Sequence, residues 1–415
     1  MKKLLLPLFS FGALFFACVP SEEIKPTEAN LRTLATYEKE LANSSTKFAL
    51  DLFAQLNDPD EANQFYSPYS IHQALSMTMN GNESEVLQEF VDLLRYEGMS
   101  INDANSGSKE LTEFLLQVDP KVKLSIANAI WYKQEYQVQV PFKNTAREYY
   151  NAEIAGLDML NPNSVNIINN WIAQKTNDLI KDMLDEIPSD AVMYLVNAIY
   201  YKADWKYQFV ASKTKKENFY PIPGNPVLVD MMDLDKPSAF RSYFGDGYHY
   251  FEIPYSTGQY SMGILYNPQG DLDQVSQYLN LGNIEMWRKN SSEQNFILKM
   301  PKFKMKYKMA NMKDDLIQMG LVRPFYFHPD NFTKLFSNPT DDLKISRVIH
   351  DAMIEVDEKG SEAAAATIVE VIEKTSAGPS LPSVVTLDKP FIFFIQEKHS
   401  GAILFMGKLG DPSKL

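Results

Sequence analysis

Five histidines, a single cysteine and 53 aspartates and glutamates are the side chains of this chain best suited to proton transfer, nucleophilic attack or metal binding. Their spacing supports none of these. His72, His249, His328, His350 and His399 include no pair at a metal-ligand spacing on one helix. Cys18 lies at the end of an N-terminal apolar run, so no thiol nucleophile is available to a folded site. The sequence holds no Gly-x-Ser-x-Gly elbow, phosphate-binding glycine loop or calcium loop, and no carboxylate pair stands apart from solvated surface charge. This inventory argues against an enzyme and calls for neither a cofactor nor a metal.

A different kind of chemistry is written between residues 358 and 375. Ala363, Ala364, Ala365 and Ala366 favour a helix, whereas Thr367, Ile368, Val369, Val371 and Ile372 are β-branched and favour a strand. Opposed preferences within one segment suit a stretch of chain with two structural states.

The N-terminus reads as an address. Lys2 and Lys3 precede an apolar run from Leu4 to Ala17 that is too short to span a bilayer. Ala17-Cys18 then resembles the lipobox of bacterial lipoproteins, with Phe15 where leucine is usual; a plain secretory signal is the alternative. Residues 1–17 are therefore expected to be a signal peptide, Cys18 the lipidation site, 18–35 a flexible tether and 36–415 one folded domain. One cysteine allows no intrachain disulfide, so stability must come from the core. A net charge of −13 argues against nucleic acid or anionic membrane as the main partner, leaving only the lipid anchor to touch a membrane.

The elements that must position any site follow from periodicity. Helical spacing predicts helices over 41–56, 70–80, 83–96, 164–185, 272–287 and 309–319. Apolar β-branched and aromatic runs predict strands over 122–132, 193–201, 248–254, 261–266, 295–303 and 345–357, with further strands within 391–409. Helices early and strands late indicate an α+β protein without internal repeats.

Several stretches together resemble the serpin family of serine protease inhibitors. Phe65-Tyr66-Ser67-Pro68-Tyr69-Ser70-Ile71, Asn197-Ala198-Ile199-Tyr200-Tyr201-Lys202-Ala203-Asp204-Trp205, His350 in Val-Ile-His-Asp-Ala, the segment from Glu358 to Thr367, and Lys389-Pro390-Phe391 with Phe405-Met406-Gly407-Lys408 are similar in content and order. The resemblance runs from about residue 40 to the C-terminus. It implies three β-sheets, eight or nine helices and an exposed reactive loop at about 358–385. It also implies a mechanism: a serine protease attacks the loop, the cut loop enters the central sheet as a new strand, and the acylated protease is carried along in a covalent complex. The inhibitor would act as a monomer from a metastable native state.

The resemblance assigns Glu358, Gly360, Ser361, Glu362, Ala363, Ala364, Ala365, Ala366 and Thr367 to the hinge of that loop. It assigns Ser67, Ser70, Asn197 and His350 to a polar cluster that holds the central strands closed, and Trp205 to the point of loop entry. Alternation fits insertion: Ser361, Ala363, Ala365, Thr367, Val369 and Val371 are small or β-branched and uncharged, while Glu362 and Glu370 fall on the opposite face. Gly360 is expected to let the backbone turn, and Ala203, in place of the usual glycine, to stiffen a turn beside Trp205. The family's hinge length puts the scissile bond at Lys374-Thr375, which suits a trypsin-like protease; a cut after Thr375 would suit an elastase-like one. The Gly- and Pro-rich stretch 376–383 is longer than the family's usual segment, which leaves the bond open to a shift. The expected location is the outer membrane or cell surface, with secretion or the periplasm as alternatives. A non-inhibitory binding or scaffold protein of the same fold is the second reading.

Overall fold

The computed structural model describes residues 28–58, 60–309, 311–337, 343–361 and 383–415. The chain opens with helices α1 (Thr36–Leu56), α2 (Pro68–Met79), α3 (Ser84–Leu93) and α4 (Ile101–Gln117), with strand β1 (Asn63–Tyr66) between the first two. Strand β2 (Lys123–Lys133), helix α5 (Val140–Tyr150), strand β3 (Glu153–Leu157), helix α6 (Asn163–Lys175) and strand β4 (Met193–Asp204) follow. Next come β5 (Lys215–Ile222), β6 (Asn225–Asp233), β7 (Ser238–Gly245), β8 (Tyr248–Pro254) and β9 (Tyr260–Tyr266). Helices α7 (Leu272–Gln277) and α8 (Leu281–Asn290) precede β10 (Ser292–Pro301), β11 (Phe303–Met309) and α9 (Lys313–Gln318). The last strands are β12 (Arg347–Val356), β13 (Gly360–Ser361), β14 (Val384–Thr386), β15 (Phe391–Glu397) and β16 (Ile403–Leu409).

The central sheet runs β11-β12-β13-β4-β2-β3. A larger sheet runs β1-β16-β15-β9-β8-β7-β10-β6-β5, with β14 also on β10. Strand β10 is shared: Ser292–Phe296 pair with β7, while the stretch to Pro301 pairs with β14 and β6. The larger sheet thus divides at β10, which accounts for three sheets in all.

Helix α2 is cut sharply because Ser67 accepts the N–H of Ser70 at 3.2 Å and Pro68 opens the first turn. Every residue of α2 is buried. The continuous apolar runs of β2 and β4 arise because both faces of the central sheet are covered. Leu195, Ile199 and Ile130 join the main core, while Val196, Ala198, Ala129 and Trp131 pack on the other side with Ile168, Trp171 and Ile172 of α6.

Several predicted elements change at their ends. The helix expected over 164–185 stops at Lys175, where Thr176 turns its hydroxyl back to the Ile172 carbonyl and Asn177 and Asp178 take left-handed φ of 53° and 62°. The expected 272–287 helix is two, because Asn280 starts α8 by accepting the Asn283 N–H at 3.0 Å. Met309 ends β11 instead of opening a helix. Part of the expected tether is packed: Leu34 is buried, and Arg32 bonds Glu38 and lies 5.2 Å from the Phe114 ring centre.

Candidate site of strand insertion

The two long central strands β4 and β12 touch at one end and part at the other. Arg347–Asp351 pair in parallel with Tyr194–Ala198, and beyond that β13 lies between them. Ser361 pairs with Val356 on one side and Ala203 on the other, while Gly360 pairs with Asp204. The hinge therefore contributes two residues to the sheet already. Between the two pairings lies a slot of about 20 Å³, lined by Ile199, Tyr201, Met353 and Ile354 and covered by Leu179 and Ile180. That volume holds about one water, so the slot must widen before a strand can enter.

Ser361 is 2 % exposed and its hydroxyl lies 2.8 Å from the Tyr255 hydroxyl. Tyr255 stacks on Trp205 with ring centres 4.3 Å apart. Trp205 in turn donates its indole N–H to the Asp357 carbonyl at 2.9 Å and its backbone N–H to the Lys359 carbonyl at 2.6 Å. Gly360 sits in extended backbone and not in a turn. A Cβ there would lie 2.1 Å from the Ala203 carbonyl oxygen, so glycine is required for close strand approach. Ala203 likewise lies inside β4, where no turn exists to stiffen.

Glu358 anchors the start of this segment. Lys302 Nζ donates to it at 2.9 Å and the Thr214 hydroxyl at 2.7 Å. Burial pushes the Glu358 carboxyl up, but these bonds more than offset it and hold it below the usual range.

At the closed end, Ser67, Ser70, Asn197 and His350 come together in the core. The Ser70 hydroxyl donates to Asn197 Oδ1, Ser67 N–H donates to His350 Nε2 at 2.9 Å, and the Ser67 hydroxyl donates to the Leu404 carbonyl at 2.6 Å. His350 and Asn197 are neighbours in register. Burial lowers the His350 pKa to about 3, so the ring is neutral. Because Nε2 accepts, the proton resides on Nδ1, and Nδ1 has no partner. The sequence reading missed Asn128 of β2, whose Oδ1 accepts from Asn197 Nδ2 at 2.7 Å. Its alignment opposite Asn197 across an antiparallel pair was the available signal.

Asp351, next to His350, is a second residue not foreseen. Its side chain is fully buried, neither oxygen has a hydrogen-bond partner, and Lys306 Nζ lies 3.8 Å away. Burial pushes its pKa up to about 6. Of the other expected site residues, Cys18, Glu362, Ala363, Ala364, Ala365, Ala366, Thr367, Lys374 and Thr375 lie outside the described residues.

The central sheet thus holds a two-residue strand between two partly parted neighbours, above a buried polar cluster. Residues 43–412 match the family model described as serpin (serine protease inhibitor). The chain belongs to the serpin family. It is 32 % identical over 394 residues to human Serpin B4, covering 90 % of this chain and 99 % of that one. An uncharacterized serpin-like protein of Thermococcus kodakarensis is 31 % identical over 387 residues, covering 90 % and 86 %. The crystal structure of the thermophilic serpin Tengpin in the native state superposes with a TM-score of 0.81 at 28 % identity, covering 92 % and 97 %. Human thyroxine-binding globulin complexed with thyroxine shares the fold, with a TM-score of 0.83 at 23 % identity over 91 % of this chain and all of that one.

Proposed function

We propose that the chain is an inhibitory serpin that traps serine proteases as covalent acyl complexes, presented at a bacterial envelope through a lipid on Cys18. The observation that carries this reading is the placement of Gly360 and Ser361 between β12 and β4. Extending that register brings Thr367 opposite both His350 and Asn197, on the same face as Ser361. A threonine hydroxyl there would offer His350 Nδ1–H the acceptor it lacks. Insertion would replace the parallel β12–β4 contact and complete the polar cluster at once.

Lys374-Thr375 is the proposed reactive bond, for a trypsin-like target, with the Thr375 side as the elastase-like alternative. Incubation with trypsin and with elastase should yield a complex that survives denaturing electrophoresis, and mass spectrometry of the released fragment should locate the bond. Clean cleavage without a complex would sink the inhibitory reading. The structural likeness to thyroxine-binding globulin supports the second reading, a binding protein that does not inhibit. On that reading, cleavage of this chain's loop would leave its unfolding midpoint unchanged. Anchoring is tested separately: palmitate labelling of the expressed protein should be lost in Cys18→Ser.

A further inference from the structure

Strand β13 fixes where each later residue would fall if the loop entered the slot. Ser361 pairs with Val356 of β12 and Ala203 of β4, and each step forward along the loop is one step back along both neighbours. Glu362, Ala366, Ile368 and Glu370 would then project on the face covered by α6, opposite to that of Ser361. Glu362 arrives between Lys202 and Glu355, and Glu370 between Arg347 and Tyr194.

Both places hold a cation without a partner. The Lys202 side chain forms no ion pair or hydrogen bond among the described residues, and it lies across from Lys123 of β2, an unfavourable pairing of like charges. The half-buried Arg347 side chain has no such partner among them either. Tyr194, its neighbour in register, is buried with an unpartnered hydroxyl. The carboxylates already present do not compete: Lys304 holds Glu355 at 2.8 Å, Lys344 holds Asp190 at 3.2 Å, and Glu186 is exposed to water. The places between fit as well. Small, uncharged Ala366 would lie beside the buried Asp351, and Ile368 between Ile349 and Val196.

We propose that Lys202 and Arg347 are docking residues for the two acidic side chains on the outer face of the loop, Lys202 for Glu362 and Arg347 for Glu370, with the Tyr194 hydroxyl donating to the latter. The inference rests on the inhibitory reading and adds to it a rule for what the slot accepts: a strand with acidic residues eight positions apart on one face. A guanidinium beside a phenol suits a carboxylate's two oxygens. The Lys202 contact forms next to β13, at the start of entry. Arg347 meets Glu370 only after the pairing of Arg347–Asp351 with Tyr194–Ala198 has opened, so it holds completed insertion.

The test compares the whole chain intact and after a single cut in the loop, by calorimetry in urea, which adds no ions to screen the pairs. Arg347→Gln and Lys202→Gln should keep the intact midpoint within about 1 °C of the wild type and lower that of the cut form by about 2 °C each. Arg347→Glu combined with Glu370→Arg should recover most of what either change loses alone. If cutting raises the wild-type midpoint but all cut forms melt together, the docking is overturned and insertion stands. If cutting does not raise the wild-type midpoint, both fall. Placement is read independently of energy: Arg347→Cys with Glu370→Cys, in a Cys18→Ser background, should form a disulfide only after the cut. A cut chain whose midpoint rises but which forms no such disulfide would also overturn the proposal.

Discussion

His350 and Asp351 are adjacent on one strand, face opposite sides of the central sheet and respond to pH in opposite senses. His350 is held neutral with its pKa lowered from 6.5 to about 3, so its stabilising contribution is present above pH 6.5 and is lost as pH falls toward 3. Asp351 has its pKa raised from 3.8 to about 6, so the folded chain holds a proton between those values that the unfolded chain has released. Stability from Asp351 therefore falls as pH rises from about 4 to 6 and stays low above that. Lys306 at 3.8 Å, with Lys308 nearby, only partly compensates the buried charge. Asp351→Asn should raise stability at pH 7 by on the order of 2 kcal/mol, with the gain vanishing near pH 4. Urea midpoints at the two pH values check this, and an equal gain at both would rule out the ionisation argument. Gly360 makes a prediction through shape alone. Gly360→Ala forces its Cβ against the Ala203 carbonyl and should cost about 1–3 kcal/mol, displacing β13. A change in Trp205 fluorescence would report that displacement, because Trp205 bonds the backbone on both sides of Glu358.

At the scale of elements, the hinge strand is the most consequential piece. Ser361→Arg would bury a charge where a hydroxyl now meets Tyr255. For an inhibitor, the variant should turn over as a substrate, with the fraction of protease trapped falling at least about tenfold as insertion slows against hydrolysis. Equal trapping by the variant would contradict insertion at this register. How legible such elements are depended on how they bury their surface. Helix α2 was readable because Ser67-Pro68 marks its start and Ile71, Ala74 and Leu75 recur at helical spacing. Helix α4 was not, because the first half of its buried face is Ala104, Asn105, Gly107 and Ser108, and apolar spacing begins only with Leu111, Phe114 and Leu115. Gly107 lets α4 approach α1 closely, with its Cβ position 3.0 Å from the Tyr37 carbonyl oxygen. Strands β1 and β3, at four and five residues, are too short to show alternation. Ser70, Asn197 and His350 were legible through family resemblance. Asp351 stood in plain sight beside them, but only the packing of α6 and its following segment over the sheet reveals that it is buried.

For the whole molecule, the inhibitory reading requires that a lower free-energy state, with the loop in the central sheet, be available to the same chain. If a cleaved loop adds about ten residues to the central sheet, each flanked by two strands, roughly 20 hydrogen bonds form while those of the parallel β12–β4 contact are lost. At about 0.5–1 kcal/mol for each of a net of roughly 15, the gain is on the order of 7–15 kcal/mol before strain and ordering are subtracted. Loop cleavage should then raise the thermal midpoint by about 10 °C or more, since a chain of this size shifts by only a degree or two per kcal/mol. Calorimetry before and after limited proteolysis measures this, and an unchanged midpoint would favour the binding-protein reading.

The two residues of β13 also bear on speed. A strand that invades a sheet resembles an incoming strand displacing another in a duplex: the slow event is the first foothold, after which exchange proceeds pair by pair. On the inhibitory reading, Gly360 and Ser361, already paired on both sides in the intact chain, would provide that foothold. Substitutions at β13 should therefore alter the rate of the transition more than its endpoint, whereas those at the far end of the slot should do the reverse.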